Sequence, residues 1–315
     1  MLYPISVPKP NHAEDVIGFI NVEGRVIVRP KYMGGSYFFE GKASVVDEDG
    51  KSGFIDCDGN LALPCHFRGL GKFKDGLCSI GGGFINHSGA WVIKPRFAVA
   101  SHFSEGRAFA SLDGEAFGFI DLSGEFAISP RFEQCSVFSH GLAAVYCDGC
   151  WGYIDHSGEV RIPFVFEGSS ARRFRYGLAG VQIDGRWGFV DESGGFVIKP
   201  QYDNVKDFSE GYAAVQRDQK WGVIDIEGNL AVDFQFDDLG EFTGGTASAE
   251  IEGNAGFVLP TGTWVIRPEF KKCYRFYGRL AVVRLGDVYK YIRRDGSAVW
   301  TSESGAMVQA PPVPL

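Results

Sequence analysis

The fold is decided by the stretch Trp187-Gly188-Phe189-Val190-Asp191-Glu192-Ser193-Gly194-Gly195-Phe196-Val197-Ile198-Lys199-Pro200-Gln201-Tyr202, because its pattern recurs along the chain. A glycine followed by two apolar residues returns every 30 to 36 residues, at Gly18, Gly53, Gly83, Gly118, Gly152, Gly188, Gly222 and Gly256. A second glycine follows each first glycine by six residues, and an aromatic residue follows it by fourteen. Such a fixed register identifies tandem repeats.

The units begin near residues 17, 52, 82, 117, 151, 187, 221 and 255, and a partial ninth copy begins at 289. In each unit a short apolar run precedes a turn, which has the form Asp/Asn-x-x-Gly in seven of the nine copies. The next run alternates with period two, which is typical of strands. A Phe-x-x-Gly group, such as Phe208-Ser209-Glu210-Gly211, then precedes a third apolar run. Each unit of about 34 residues is therefore predicted to be a three-stranded antiparallel meander.

The predicted fold class is all-β, a tandem array of eight meanders plus a terminal hairpin. Thirty-four residues per unit is short for a propeller blade, and the additional hairpin, 289–300, resembles a terminal cap. We therefore expect an open, curved β-solenoid over residues 16–300, with a closed β-propeller-like toroid as the alternative. Residues 1–15 are predicted to be an N-terminal extension or cap, and 301–315 a flexible C-terminal tail.

Composition excludes several classes of protein. The chain has 315 residues, 45% of them hydrophobic, and a net charge of −8, which argues against disorder and against general binding of nucleic acid. No apolar run approaches the ~18–20 residues of a membrane helix. Seven cysteines without a visible secretion signal suggest buried thiols in a reducing compartment, so a cytoplasmic location is expected.

The stretch 187–202 and its continuation through Phe208-Ser209-Glu210-Gly211-Tyr212-Ala213-Ala214-Val215 resemble the WG, or KWG, repeat of bacterial proteins. Trp-Gly pairs open the units at Trp151, Trp187 and Trp221, whereas other residues replace the tryptophan in the remaining copies. The resemblance covers residues 16–300 and implies a β-repeat scaffold with a variable number of repeats. The family has no defined catalytic residues, so the resemblance implies none here.

The recurring polar residues have structural interpretations. Asp56, Asp121, Asp155, Asp191 and Asp225 precede x-x-Gly, which is typical of residues that form turns rather than of catalytic or calcium-binding carboxylates. The group Cys147-Asp148-Gly149-Cys150 has no second pair for a zinc site and is predicted to lie at a hairpin tip, and its sequence leaves a redox role open. We expect no catalytic residue, no metal site and no cofactor.

The informative positions are those where the units differ, above all in the loop after the aromatic residue. Residues 201–260 contain twelve acidic and three basic residues, whereas 261–300 contain three acidic and nine basic residues. Equivalent loops of stacked units lie along one edge, so this edge is predicted to be electrostatically polarised. The candidate residues for binding a partner are Arg172, Arg173, Arg175, Asp203, Asp207, Asp237, Asp238, Glu241, Lys271, Lys272 and Arg275.

Two functions are consistent with this pattern. The first is a non-catalytic scaffold that binds another protein, in a narrower form a bacterial immunity-type inhibitor that neutralises a toxin domain, with neither nucleic acid nor membrane as a partner. The second is a glycan-binding module or hydrolase that uses a propeller-like face. The sequence identifies neither the partner nor the oligomeric state.

Overall fold

The computed structural model describes residues 1–8, 15–168 and 171–303. These residues form an all-β protein of nine antiparallel sheets, and the described residues contain no helix. Consequently, that part of the chain offers no helix that could cross a membrane. The all-β repeat class predicted from the sequence is confirmed.

The strands follow one another through the nine sheets in chain order. Sheets 1 to 3 comprise β1 (Tyr3–Pro8), β2 (Asp15–Ile20) and β3 (Val26–Tyr32); β4 (Gly34–Gly35), β5 (Lys42–Val46), β6 (Ser52–Asp56) and β7 (Leu61–Phe67); and β8 (Phe73–Lys74), β9 (Leu77–Ile80), β10 (Gly83–Asn86) and β11 (Trp91–Ile93). Sheets 4 to 6 comprise β12 (Val99–Ala100), β13 (Ala108–Ser111), β14 (Phe117–Ile120) and β15 (Phe126–Phe132); β16 (Gln134–Cys135), β17 (Leu142–Cys147), β18 (Cys150–Asp155) and β19 (Val160–Phe166); and β20 (Leu178–Ile183), β21 (Arg186–Asp191) and β22 (Phe196–Tyr202). Sheets 7 to 9 comprise β23 (Asn204–Val205), β24 (Tyr212–Arg217), β25 (Lys220–Asp225) and β26 (Leu230–Phe236); β27 (Asp238–Leu239), β28 (Ala247–Ile251), β29 (Asn254–Val258) and β30 (Trp264–Phe270); and β31 (Lys272–Tyr277), β32 (Leu280–Leu285), β33 (Val288–Ile292) and β34 (Ala298–Thr301).

The chain divides into two compact units. The first combines residues 1–72 with 236–315 and contains sheets 1, 2, 8 and 9, whereas the second, residues 73–235, contains sheets 3 to 7. In both units the strands of a sheet are consecutive and antiparallel, as in a meander.

The first glycine of each repeat is required by a bulge in the sheet. The register between β21 and β22 shifts on either side of Phe189, which brings the carbonyl oxygen of Ile198 over the backbone at Gly188. A Cβ atom at Gly188 would lie 2.5 Å from that oxygen. Because real side chains do not tolerate such a contact, glycine recurs here for a steric reason.

The recurring aspartate forms the turn that follows. Asp191 Oδ1 accepts hydrogen bonds from the backbone N–H groups of Ser193 (2.9 Å) and Gly195 (3.0 Å), and Gly194 has a φ of +86°. This is the Asx geometry that favours Asp or Asn in turns. The assignment of these aspartates to turns is confirmed.

Neighbouring sheets of a unit pack through the repeated aromatic residues. Phe189 of sheet 6 lies edge-to-face against Phe208 of sheet 7, with ring centroids 4.8 Å apart. The turn glycine adds a second contact, because a Cβ at Gly194 of sheet 6 would lie 3.0 Å from Ile162 of sheet 5. The residues that define the repeat therefore form the interfaces between neighbouring sheets.

In the first unit the same contact joins the last sheet to the first. A side chain at Gly24 of sheet 1 would collide with the carbonyl oxygen of Val299 in sheet 9, just as one at Gly59 would meet Val28. Buried Tyr291 of sheet 9 packs edge-to-face on Tyr3 of β1, at 5.7 Å between ring centroids. The two ends of the array are thus packed against each other.

This contact corrects the predicted architecture. An open solenoid would leave the terminal sheets without such a neighbour, so the open curved β-solenoid is wrong, and the contact between the first and last sheets matches the alternative, a β-propeller-like array. The three-stranded meander also needs revision, since seven sheets have four strands. The fourth strand comes mostly from residues after the aromatic position, which the sequence suggested were only a variable loop.

The terminal segments are described in part. Residues 3–8 of the predicted N-terminal extension form β1, which pairs with β2. Of the predicted C-terminal tail, 304–315 lie outside the described residues.

Candidate functional site

The predicted partner-binding residues lie on the short first strand of a sheet or on the connection that leads to Phe-x-x-Gly. Asp203 and Asp207 flank β23, Asp238 is in β27, and Lys272 and Arg275 are in β31. The connection in sheet 6, which contains Arg172, forms no such strand and makes isolated bridges instead, between Glu167 and Gln182 and between Arg175 and Leu178. The candidates thus occupy equivalent places in successive sheets of each unit.

In the second unit three candidate arginines surround one carboxylate. The Nε atoms of Arg172, Arg173 and Arg175 lie 4.0, 3.8 and 3.6 Å from the carboxylate oxygens of Asp207. The Asp207 side chain is 10% exposed, and the arginine side chains are 17 to 36% exposed. This arrangement concentrates positive charge at a partly desolvated place, where charges interact more strongly than in water.

Arg172 is held by contacts on several sides. It donates a hydrogen bond to the carbonyl oxygen of Val205 (2.8 Å), and its guanidinium lies 5.4 Å from the centroid of the Trp187 ring. Its own carbonyl accepts a 2.6 Å hydrogen bond from the hydroxyl of Tyr153. These contacts fix the cluster to the frame of the sheets, which lowers the entropic cost of binding a partner.

Gly180 makes room for Arg172. A Cβ at position 180 would lie 2.9 Å from Cγ of Arg172, whereas the equivalent positions in sheets 5 and 7 carry Ala144 and Ala214. The sequence analysis did not select Gly180, although a glycine where the neighbouring units carry alanine is a visible signal.

Asp203 lies apart from the arginine cluster on the solvent-exposed side of β23. It forms an ion pair with Arg186 and accepts a hydrogen bond from the backbone N–H of Asp218 (2.7 Å). Arg186 was not among the predicted residues, because it is the first residue of β21 and lies outside the variable loop.

In the first unit the remaining candidates form one pair and several single contacts. Arg275 and Glu241 lie 3.9 Å apart, and both side chains are less than a fifth exposed. Asp237 and Asp238 accept hydrogen bonds from the backbone N–H groups of Glu252 (2.6 Å) and Leu239 (2.9 Å).

The two candidate lysines are exposed. Lys271 and Lys272 both lie at the start of the last sheet, and the ammonium of Lys272 is 5.6 Å from the ring centroid of Tyr274. Of all the candidates, these two therefore offer the most accessible positive charge.

The repeated carboxylates accept hydrogen bonds that stabilise the turns. The hydroxyl and backbone N–H of Ser157 are the main groups that lower the pKa of Asp155, to about 2, and Ser123 acts in the same way on Asp121. Such carboxylates are poor proton acceptors at neutral pH, which disfavours them as general bases. Within the described residues, no cluster of three or more His, Cys, Asp or Glu side chains could hold a metal ion.

The two cysteines of the CxxC group face each other across a hairpin. Cys147 and Cys150 are paired residues at the ends of β17 and β18, with Asp148 and Gly149 forming the turn. Both thiols are free, and burial is the first cause that raises the pKa of Cys147. The predicted hairpin tip is confirmed, and a raised thiol pKa disfavours the thiolate that redox chemistry needs.

Comparison with known families identifies the repeat. Seven segments match the model of the "WG containing repeat", namely residues 17–51, 83–115, 117–149, 151–187, 187–221, 221–254 and 256–289. Together they cover more than half of the chain, and the segment between 51 and 83 lies outside them. No curated protein matches this chain.

Similar solved structures share little sequence with this chain. The computationally designed Ika8 protein has 13% identity and a TM-score of 0.48, over 86% of this chain and 87% of its own. BamB from Moraxella catarrhalis has 11% identity and a TM-score of 0.47, over 84% and 94% of the two chains. Kluyveromyces lactis Hsv2 has 11% identity and a TM-score of 0.44, over 69% and 89%. Similarities of this size carry no information about function.

Proposed function

Since the chain belongs to the family of WG-containing repeat proteins, we propose that it is a non-catalytic scaffold that binds another protein through the charged residues in which its repeats differ. The observation that carries the proposal is that the repeated polar side chains and the unit-specific charged side chains have different roles. The repeated polar residues are used in turns, as Asp191 is, whereas the unit-specific charges stand at equivalent places in successive sheets.

The charge distribution supports a protein partner. Residues 261–300 carry a large excess of basic side chains in a chain whose net charge is −8. A surface with separate acidic and basic regions suits a partner with the complementary pattern, and it steers the encounter of the two proteins. A general nucleic-acid partner would require a basic surface throughout.

The narrower proposal is that the partner is a toxin domain and that this protein neutralises it in the bacterial cytoplasm. It is supported by the combination of a purely structural repeat with a unit-specific charged edge, and by the absence of sequence motifs for catalysis. Membranes and nucleic acids are not part of the proposed function.

Charge reversal on the basic part of the edge tests the proposal. The double variant Lys271→Glu/Lys272→Glu changes two exposed lysines. The matched control is Lys94→Glu/Lys199→Glu, which changes two exposed lysines that lie directly after β11 and in β22. Immobilised native protein and the two variants are exposed to native lysate, and captured proteins are quantified by mass spectrometry.

We expect a specific protein on the native chain and on the control, with at least about tenfold less on the edge variant, because close charge pairs contribute more than ~1.4 kcal/mol to binding. Equal capture by all three proteins, or none by the native chain, would refute the proposal. Saturable binding of a glycan, or hydrolytic activity of the purified protein, would support the alternative instead. Rescue of cells that express a captured toxin tests the narrower form.

A further inference from the structure

A cavity of about 400 Å³ lies in the first unit, where the turn between β2 and β3 meets the last sheet. Its volume falls within the range of small-molecule sites. Its walls are formed by Val22, Glu23, Arg279, Arg293, Arg294 and Asp295. None of these belongs to the proposed partner-binding residues, so this site is independent of the proposed function.

One arginine of the cavity is firmly positioned. The guanidinium of Arg294 lies 4.4 Å from the ring centroid of Phe276 and donates a 3.2 Å hydrogen bond to Oγ1 of Thr246. Its Nη2 atom lies so close to Gly244 that a side chain at that position would displace it. A guanidinium held by a ring, a hydroxyl and a glycine is preorganised to bind a ligand.

A second arginine breaks the rule of the repeat. Arg293 occupies the turn position at which seven of the other eight units carry a carboxylate or an amide, as in Asp155, Asp191 and Asp225, while the eighth unit carries Leu259. The turn itself is kept, since the N–H of Gly296 still bonds to the carbonyl of Arg293 (3.0 Å). The carboxylate is supplied by Asp295, which accepts the N–H of Ser297 at 2.8 Å. The same turn forms around Leu259, so it does not require an arginine, although Nη1 of Arg293 donates a 3.4 Å hydrogen bond to Oγ of Ser297. The arginine adds positive charge to the cavity.

The charges of the cavity favour an anion. Three guanidinium groups face two carboxylates, and no ion pair within 4.0 Å joins them among the described residues. Asp295 is already engaged in its turn, whereas Arg279 is exposed and uses only its backbone N–H, toward the hydroxyl of Tyr3. Guanidinium groups offer planar, paired donors that match oxyanions.

We propose that this cavity binds a small molecule through a phosphate group, with Arg279, Arg293 and Arg294 as its ligands. A phosphate monoester presents three terminal oxygens, which three arginines can share. A single carboxylate presents two and would leave part of the cavity's positive charge unpaired.

Calorimetric titration with inorganic phosphate, AMP and acetate at constant ionic strength tests the proposal. The decisive variant is Arg293→Asp, because it restores the usual turn residue and should leave the fold intact. Arg279→Ser is the second variant, since its side chain is exposed. Arg284→Gln is the matched control in the same sheet; Arg284 faces Asp287 at 3.8 Å and does not line the cavity.

We expect saturable binding of phosphate and AMP, with acetate binding more weakly. Arg293→Asp should weaken phosphate binding by at least about tenfold, since a charge-assisted hydrogen bond contributes ~1.5–3 kcal/mol, whereas Arg284→Gln should change it less than about twofold. Absence of saturable phosphate binding would overturn the proposal. So would an affinity of Arg293→Asp and Arg279→Ser for phosphate equal to that of the native protein, or stronger binding of acetate than of phosphate.

Discussion

The hydroxyl of Tyr291 offers a direct test of the contact between the first and last sheets. The side chain is buried, and its hydroxyl donates a 2.7 Å hydrogen bond to the carbonyl of Pro4 in β1. The hydroxyl of Tyr37 lies 3.2 Å away and shares a second bond. Tyr291→Phe keeps the ring and removes only these two bonds.

The expected loss follows from the groups left behind. Removing one buried partner costs the hydrogen bond and the desolvation of the abandoned carbonyl, so Tyr291→Phe should lower the free energy of unfolding by about 2–4 kcal/mol. Tyr37→Phe removes the longer bond and should cost about 1 kcal/mol. Because the two hydroxyls share that bond, the double variant should cost about 1 kcal/mol less than the sum.

Urea unfolding, followed by far-UV circular dichroism and tryptophan fluorescence, measures these free energies. Tyr153→Phe serves as a comparison, because its hydroxyl makes a similar bond to Arg172 within the second unit. If Tyr291→Phe costs less than about 0.5 kcal/mol while Tyr153→Phe costs about 1 kcal/mol or more, the buried contact between the terminal sheets does not exist as described.

Three further substitutions test the frame and the candidate site by urea unfolding. Gly188→Ala should destabilise by about 1–3 kcal/mol, because its Cβ would meet the carbonyl of Ile198, whereas Gly195→Ala, with its nearest neighbour at 3.4 Å, should cost less; equal losses would contradict the bulge. The pKa of Asp155 is about 2 in the folded protein, below the ordinary 3.8. The ionised carboxylate therefore stabilises the fold fully above pH 4, and this stabilisation is lost as the pH falls from 4 to 2. Asp155→Asn should therefore reduce the loss of stability over that interval, and an unchanged acid profile would refute the role of the turn. Asp207→Asn should destabilise by about 2 kcal/mol, since it removes the carboxylate shared by three arginines; a neutral effect would show that the cluster is not an electrostatic unit.

The strands and turns were predictable because each depends on local chemistry. The glycine at position 188 recurs because a carbonyl lies close to it, and the aspartate at 191 recurs because it forms an Asx turn in the copies that carry Asp or Asn. Period-two alternation predicts one buried face on the second strand of a unit; Ile198 is buried as predicted, whereas Phe196 is 39% exposed.

Closure of the array was not predictable from the repeat. It depends on Tyr3 and Tyr291, which stand almost at opposite ends of the chain and replace the Phe–Phe contact used between other sheets. The short unit favoured an open array because it left room for only three predicted strands. The fourth strand of a sheet, such as β23, has only two residues and therefore shows no periodic pattern in the sequence. A contact between residues so far apart in the sequence depends on tertiary packing, which local sequence patterns do not reveal.

The candidate site was predictable as a region but not as a set of contacts. Charge counts pointed to the loops that contain Asp207 and Arg275, and the structure adds the geometry around them. The sequence did not reveal Gly180 or Arg186, which act through space on those loops. The arginine at position 293 is visible in the sequence only when the ninth, partial repeat is aligned with the others.

Amide hydrogen exchange of the terminal sheets tests the account most directly, because the account holds that repeat residues close the array and leave the unit-specific charges for binding. In a closed array, amides in β2 and β33 should exchange as slowly as those in β18, through the same global opening. Much faster exchange of β2 and β33 than of β18 would indicate frayed ends and an open array, and it would contradict the account.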